Sequence, residues 1–226
     1  MFWRKENLRM NKKEQAYDLI KERIIDSTYP SQSFIDEKLI AEELQASRTP
    51  VREAFIALSQ DGYLQILPKR GVQVIPFTDR DVMAIFDVRE LVEPWLVQQY
   101  GLLIPEEELI LEKTRIVEEV NYKFLHGISQ PGVSMDHHPH LLFIEKCSNK
   151  YVQSMIRLVK DQSRRAPDAE KARAAEPMSE QERDDNINRH TQILDALLKK
   201  DLSLAIKLTQ QHVTCAREKY MRYWFG

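Results

Sequence analysis

Between Ser47 and Val74 the apolar spacing changes period once, and this change constrains the fold more than any other feature of the chain. Up to Gln60 the apolar residues recur every three or four positions, so Val51, Ala54, Phe55 and Leu58 make one helical face. Asp61-Gly62 then supplies a stop, because glycine accepts the left-handed backbone that ends helices. Beyond it, YLQIL and VQVI flank Pro68-Lys69-Arg70-Gly71 and alternate as strand residues do. A helix that runs straight into a small hairpin with a basic tip leaves few folds open.

Two further helical patterns come before it. Ala16, Leu19, Ile20, Ile24 and Ile25 share a face of a helix over 13–26, which Pro30 and the serines of STYPSQSF end. A second helix follows Asp36, with Leu39, Ile40, Ala41 and Leu44 inward. The third runs from about Pro50 to Gln60, with Ser47 or Thr49 as its cap and Pro50 in its first turn. Three helices and a hairpin predict a winged helix-turn-helix over residues 1–76. From 77 to 226 the β signal fades. Helical patterns run through about 79–100, 105–126, 134–165 with a break or bend, 179–200 and 201–224. They predict an all-α antiparallel bundle of five to seven helices.

Composition adds boundaries. At 42% apolar and 30% charged residues the chain is expected to be soluble and globular rather than disordered. No uncharged apolar run has the length of a membrane span, and Cys147 and Cys215 have no paired spacing, so a cytoplasmic chain without disulfides or membrane partner is expected. Residues 1–76 hold 12 basic against 11 acidic residues, and 77–226 hold 21 against 24. Any affinity for nucleic acid must therefore come from where individual arginines stand.

Arg48 and Arg52 stand four residues apart, so they share a helix face whose reverse side is anchored by Val51, Ala54 and Phe55. Arginine presents a planar donor fork that matches guanine O6 and N7 in the major groove. Ser47 and Thr49 lie at the helix N-terminus, where free backbone N–H groups also suit phosphate. Lys69 and Arg70 at the wing tip suit backbone or minor-groove contact. The opposite reading makes the arginines a solvated face beside Glu53 and the wing tip a solubilising turn. The joint presence of arginine face, turn and wing favours a DNA reader.

The second half carries a set of metal-ligand types. Asp136 and His140 share a helix face by spacing, and His190 and His212 fall on successive helical patterns. One carboxylate and three imidazoles that converged inside a bundle would suit zinc, nickel, iron or manganese, with an open position for the carboxylate of a small acid. His126, His137 and His138 read as surface or structural groups. Spacing alone does not decide whether the four converge.

The run SRTPVREAF, then LSQDGY, then PKRG resembles the signature of the GntR family of transcription regulators, and the likeness covers roughly residues 15–76. It implies a homodimer on a palindromic operator, often as a repressor. The contact set would fall on Ser47, Arg48, Thr49, Arg52 and Gly71, with Lys38 as a further basic contact. Pro30-Ser31 stands where the family often has Pro-Gly. Residues 79–220 resemble the FCD type of effector domain, the FadR-like branch, whose Asp-x-x-x-His, Asn, His, His motif appears as DHHPH, Asn149, His190 and His212. The resemblance implies a divalent metal, zinc ahead of nickel or manganese, holding a small organic acid effector. Arg89 then either pairs with the effector carboxylate or makes an ordinary salt bridge across the bundle. Asn149 either supports the pocket or caps a helix. Pro139 replaces the family's aromatic, and inside a helix starting near Ser134 it would bend the chain and move Asp136 relative to His140.

The expectation is thus a regulator and not an enzyme. Its rivals are a regulator with a purely structural or metal-sensing site, and a metal-dependent hydrolase joined to a DNA reader. Only Glu145 stands near enough in sequence to suggest a general base for the last.

Overall fold

A computed structural model describes residues 10–127, 140–165 and 178–225, with backbone alone at 140, 141 and 223–225. The chain divides into two compact units, Met1–Phe77 and Thr78–Gly226.

The first unit is built in the order α1 (Lys12–Ile25), β1 (Phe34–Ile35), α2 (Glu37–Glu43), α3 (Arg48–Gln60), β2 (Leu64–Leu67) and β3 (Gly71–Val74). Asn11 starts α1 with a reciprocal cap. The Glu14 N–H donates to Asn11 Oδ1 at 3.0 Å, and the Asn11 N–H donates to the Glu14 carboxylate at 2.9 Å. Helix α1 turns Ala16, Ile20 and Ile24 onto α3, which answers with Val51, Ala54, Phe55 and Leu58, each no more than 2% exposed. Gly62 takes φ of 78° just past α3, the conformation that lets the chain leave the helix for a strand. The strands form an antiparallel sheet in the order β1-β3-β2. In it Leu64 faces Val74 and Leu67 faces Gly71, and Leu64 and Val74 close the same core while Ile66 is exposed.

The structure corrects three local expectations here. Leu39 is 62% exposed, not inward. Helix α2 has seven residues and buries only Ile40 and Ala41. At about 100° per residue Leu39 lies some 200° from Ala41, outside so narrow a face. Ser47 occupies the cap position of α3 by backbone, but its hydroxyl makes no capping bond, and Thr49 lies within the helix. The wing also has a third strand: Phe34 and Ile35 pair with Gln73 and Val72. Two residues are too few to show a period in sequence.

The second unit holds α4 (Asp79–Tyr100), a 3₁₀ turn at Gly101–Leu103, α5 (Glu106–Leu125), α6 (His140–Lys146), α7 (Lys150–Ser163), α8 (Glu180–Leu198) and α9 (Leu202–Phe225). The expected helix over 134–165 is two helices where it is described, α6 and α7, parted by Cys147-Ser148-Asn149. Ser134 and Pro139 lie outside the described residues. Helix α4 packs on α9, α8 on both α5 and α9, and α6 and α7 on α4. Leu96, Val97, Leu109, Phe143, Ile156 and Leu194 lie in its core. Polar ties hold α9 in place: Tyr220 donates to Asp79 at 3.0 Å, and Arg217 reaches Asp87 at 2.8 Å and Glu90 at 3.0 Å. The carboxylate of Glu182 in α8 accepts from the Ser179 N–H and from Lys219 of α9, and these bonds hold its pKa down at about 2.

The contrast between Leu58 and Leu39 gives a test of the first unit. Leu58→Ala removes a fully buried side chain and should destabilise it by about 2–5 kcal/mol. Leu39→Ala should stay within about 0.5 kcal/mol of wild type. Urea unfolding read on a probe in residues 10–77 separates the two.

Candidate functional site

Helix α3 presents its N-terminal half outward while its back is sealed. Arg48 and Arg52 have side chains 60% and 64% exposed, although Val51, between them in sequence, is fully buried. Ser47 and Thr49 are exposed at the same end. Ile56, one turn beyond Arg52, is 50% exposed on that face. An apolar group there suits a thymine methyl. The sequence reading passed over Ile56 because the apolar pattern around it is satisfied without it. Lys38 is exposed near the start of α2, 3.6 Å from Glu42.

The wing tip is a tight turn. The Arg70 N–H donates to the Leu67 carbonyl at 3.0 Å, with Pro68 and Lys69 between them and Lys69 at φ 61°. This pattern of proline followed by positive φ lifts Lys69 and Arg70 into solvent. Gly71 follows at φ 108°, a region side-chain-bearing residues rarely adopt, although a Cβ there would meet only ordinary contact with Phe34.

The acid beside the two arginines is Glu37 of α2, not Glu53. Arg52 Nε–H donates to Glu37 Oε2 at 2.9 Å, and Arg48 Nε lies 3.7 Å from Oε1. The hydrogen bond raises the Arg52 pKa above its ordinary value. The pairing joins two helices fifteen residues apart in sequence, and spacing along either helix does not reveal it.

In the second unit α8 and α9 bring two of the expected ligands together. His190 and His212 are buried, and their ring centroids lie 4.5 Å apart at 59°. His190 Nδ1 lies 2.7 Å from the Asn186 carbonyl. A carbonyl only accepts, so the proton sits on Nδ1 and Nε2 keeps its lone pair, the arrangement typical of a metal-binding imidazole. Burial pushes the His190 pKa down to about 4, against the bond to Asn186, and the positive charges of Arg189, Arg89 and Lys123 add to the fall. The ring is therefore neutral near pH 7. Asp136 lies outside the described residues, and of His140 only the backbone at the start of α6 is described. Among the described residues no three His, Cys, Asp or Glu side chains are gathered to hold a metal. The donor chemistry of His190 and His212 nonetheless fits a divalent ion.

Arg89 of α4 is 1% exposed. Its Nε–H donates to Glu93 at 2.7 Å, and its guanidinium lies over the Phe86 ring at 5.3 Å. The salt bridge thus runs along one helix rather than across the bundle. Burial raises the Glu93 pKa, which Arg89 opposes. Arg89 Nη2 is buried and has no hydrogen-bond partner among the described residues. A buried cation with an open donor favours an incoming anion. An open groove of about 420 Å³ beside His212 is lined by Arg189, Gln192, Gln211 and Cys215 among others, and neither Arg89 nor His190 lines it.

Asn149 is exposed and caps α7. Its Oδ1 accepts from the N–H groups of Tyr151 and Val152 at 3.0 and 3.4 Å. His126 is exposed and stacks on Tyr122 with centroids 4.0 Å apart. Cys147 and Cys215 are free thiols. No described helix is long and apolar enough to cross a membrane.

Comparison with known proteins gives these sites a context. The model for bacterial regulatory proteins of the gntR family matches residues 12–74, and the FCD domain model matches residues 84–214. The HTH-type transcriptional regulator YdhC of Bacillus subtilis is 28% identical over 65% of this chain and 66% of its own length. The match to the gluconate operon transcriptional repressor of the same organism spans only 56% of that relative. The gluconate operon transcriptional repressor of Bacillus licheniformis is 25% identical over 90% of this chain and 83% of its own. These relatives are transcriptional regulators, not enzymes. The fold is shared with a GntR regulator from Rhodococcus sp. RHA1, at a TM-score of 0.69 and 22% identity over 94% of this chain and 99% of that one. It is shared too with McbR/YncC of E. coli, at a TM-score of 0.64 and 18% identity over 93% and 99%. With one model covering the first unit's elements and the other more than half of the chain, this protein belongs to the GntR family of bacterial regulatory proteins and carries an FCD domain.

Proposed function

We propose that this chain is a sequence-specific DNA-binding repressor that acts as a homodimer on a palindromic operator. The observation that carries this is the exposed Arg48–Arg52 face on a helix whose reverse side is wholly buried. Two copies of α3 then enter successive major grooves, with Ser47, Thr49 and the wing residues Lys69, Arg70 and Gly71 on the backbone and Lys38 as an added basic contact. Relatives named as repressors support the direction of regulation.

The second unit is the sensor in this reading. His190 and His212, joined by His140 and Asp136, would hold a divalent metal, zinc ahead of nickel or manganese. When bound, the metal supplies a positive centre with an open position for the carboxylate of a small organic acid. Arg89 gives that acid a second point of attachment through its buried guanidinium. Repression is relieved or imposed only because the acid binds the DNA-competent and DNA-incompetent states with different affinity.

Arg52→Ala should weaken binding to a duplex selected by the protein from a random pool by about 1–3 kcal/mol, the scale of one bidentate base contact. Wild-type affinity in a titration would remove Arg52 from the reading face. Protein prepared without chelator should contain one divalent metal per chain by elemental analysis. His190→Ala and His212→Ala should lose it while keeping wild-type helical content by circular dichroism. A folded wild-type protein that takes up no metal from zinc, nickel or manganese solutions would sink the metal-held effector.

A further inference from the structure

We infer that Glu37 is a positioning residue for DNA reading, holding Arg52 by the back edge of its guanidinium and suppressing attachment to arbitrary sequence. The inference rests on the reading role of α3 given above and names what sets its selectivity.

A guanidinium has two bidentate edges, one through Nε and one Nη, the other through both Nη atoms. Glu37 takes Arg52 at Nε, at 2.9 Å, so the end-on fork stays free for a base while the side chain is held. Arg52 remains 64% exposed, whereas the Glu37 side chain is 24% exposed. The carboxylate is thus the better-fixed partner of the pair. Glu37 is the first residue of α2, where the helix N-terminus favours its negative charge. Its Oε1 is buried, makes no hydrogen bond among the described residues, and has Arg48 Nε 3.7 Å away. One acid therefore stands behind both arginines of the reading face.

Two consequences follow. An arginine already ordered loses less freedom on meeting its base, which favours the operator. A negative charge behind the arginines opposes the phosphate backbone of every duplex alike, which disfavours non-specific binding. Both widen the gap between operator and random DNA.

The test uses the full chain, a duplex selected by that chain from a random pool, and a scrambled duplex of equal length. Glu37→Gln keeps the shape and removes the charge. It should bind the scrambled duplex more tightly and the selected duplex no more tightly, so the affinity ratio falls roughly three- to tenfold, the scale of freeing one ordered side chain. Glu37→Asp keeps the charge but shortens the reach. It should lower the ratio while leaving affinity for the scrambled duplex at the wild-type value. A wild-type ratio in both variants, with or without a shift in thermal midpoint, overturns the positioning role and makes Glu37 a brace between helices. Arg52→Ala run alongside separates the two levels. Lost operator affinity in that variant leaves the reader standing whatever Glu37 does, and undiminished affinity overturns the reading role and this inference with it.

Discussion

The burial of one side of α3 is the constraint on which the first unit depends. Val51, Ala54, Phe55 and Leu58 face α1, and together with Ala16 and Ile20 they leave almost no solvent between the helices. That seal fixes the rotation of α3 about its axis. Once the rotation is fixed, positions 48, 52 and 56 have nowhere to point but outward. The exposure of Arg48, Arg52 and Ile56 is therefore a product of core packing, not of any preference of those residues. The sheet serves the same end. Leu64 and Val74 close the core from below, and the price is a tight turn that carries Lys69 and Arg70 at its tip.

The two units handle arginine in opposite ways. In the first, Arg48 and Arg52 are wet and share one acid, an arrangement that costs little. In the second, Arg89 is dry, with a hydrogen bond to Glu93 and the face of Phe86 for company. A guanidinium out of water, whose Nη2 has no hydrogen-bond partner among the described residues, is costly to maintain, and its charge is felt at the buried His190 ring. Surface arginines of the first kind stay open to water and to whatever meets that face.

Much of this was legible in the sequence because the decisive features were local. The Arg48–Arg52 spacing, the Asp61-Gly62 stop and the alternation around PKRG each lie within a dozen residues, and each predicted an element that the structure contains. The failures share a cause. The β1–β3 pairing joins residues almost forty positions apart, and the Glu37–Arg52 bond joins two helices. Neither leaves a periodic trace along the chain. Leu39 misled for a related reason: a seven-residue helix has too narrow a buried face for its apolar count to reveal which leucine is inside. In the second unit the juxtaposition of His190 and His212 was legible only through resemblance, since a 22-residue gap fits many helix pairs.

The state of His190 shows how far the fold alone prepares such a site. The Asn186 carbonyl fixes the proton on Nδ1, and burial holds the ring neutral down to about pH 4. A histidine in water is charged over much of the range below pH 6.5, so the packing of α8 against α5 and α9 has chosen the form that donates a lone pair. That choice costs stability in mild acid. The unfolded chain takes up a proton below about pH 6.5 that the folded chain refuses until about pH 4, so folding weakens as pH falls through that window. His190 and His212 thus face each other in a dry core, and the ring of His190 is held there in its neutral form.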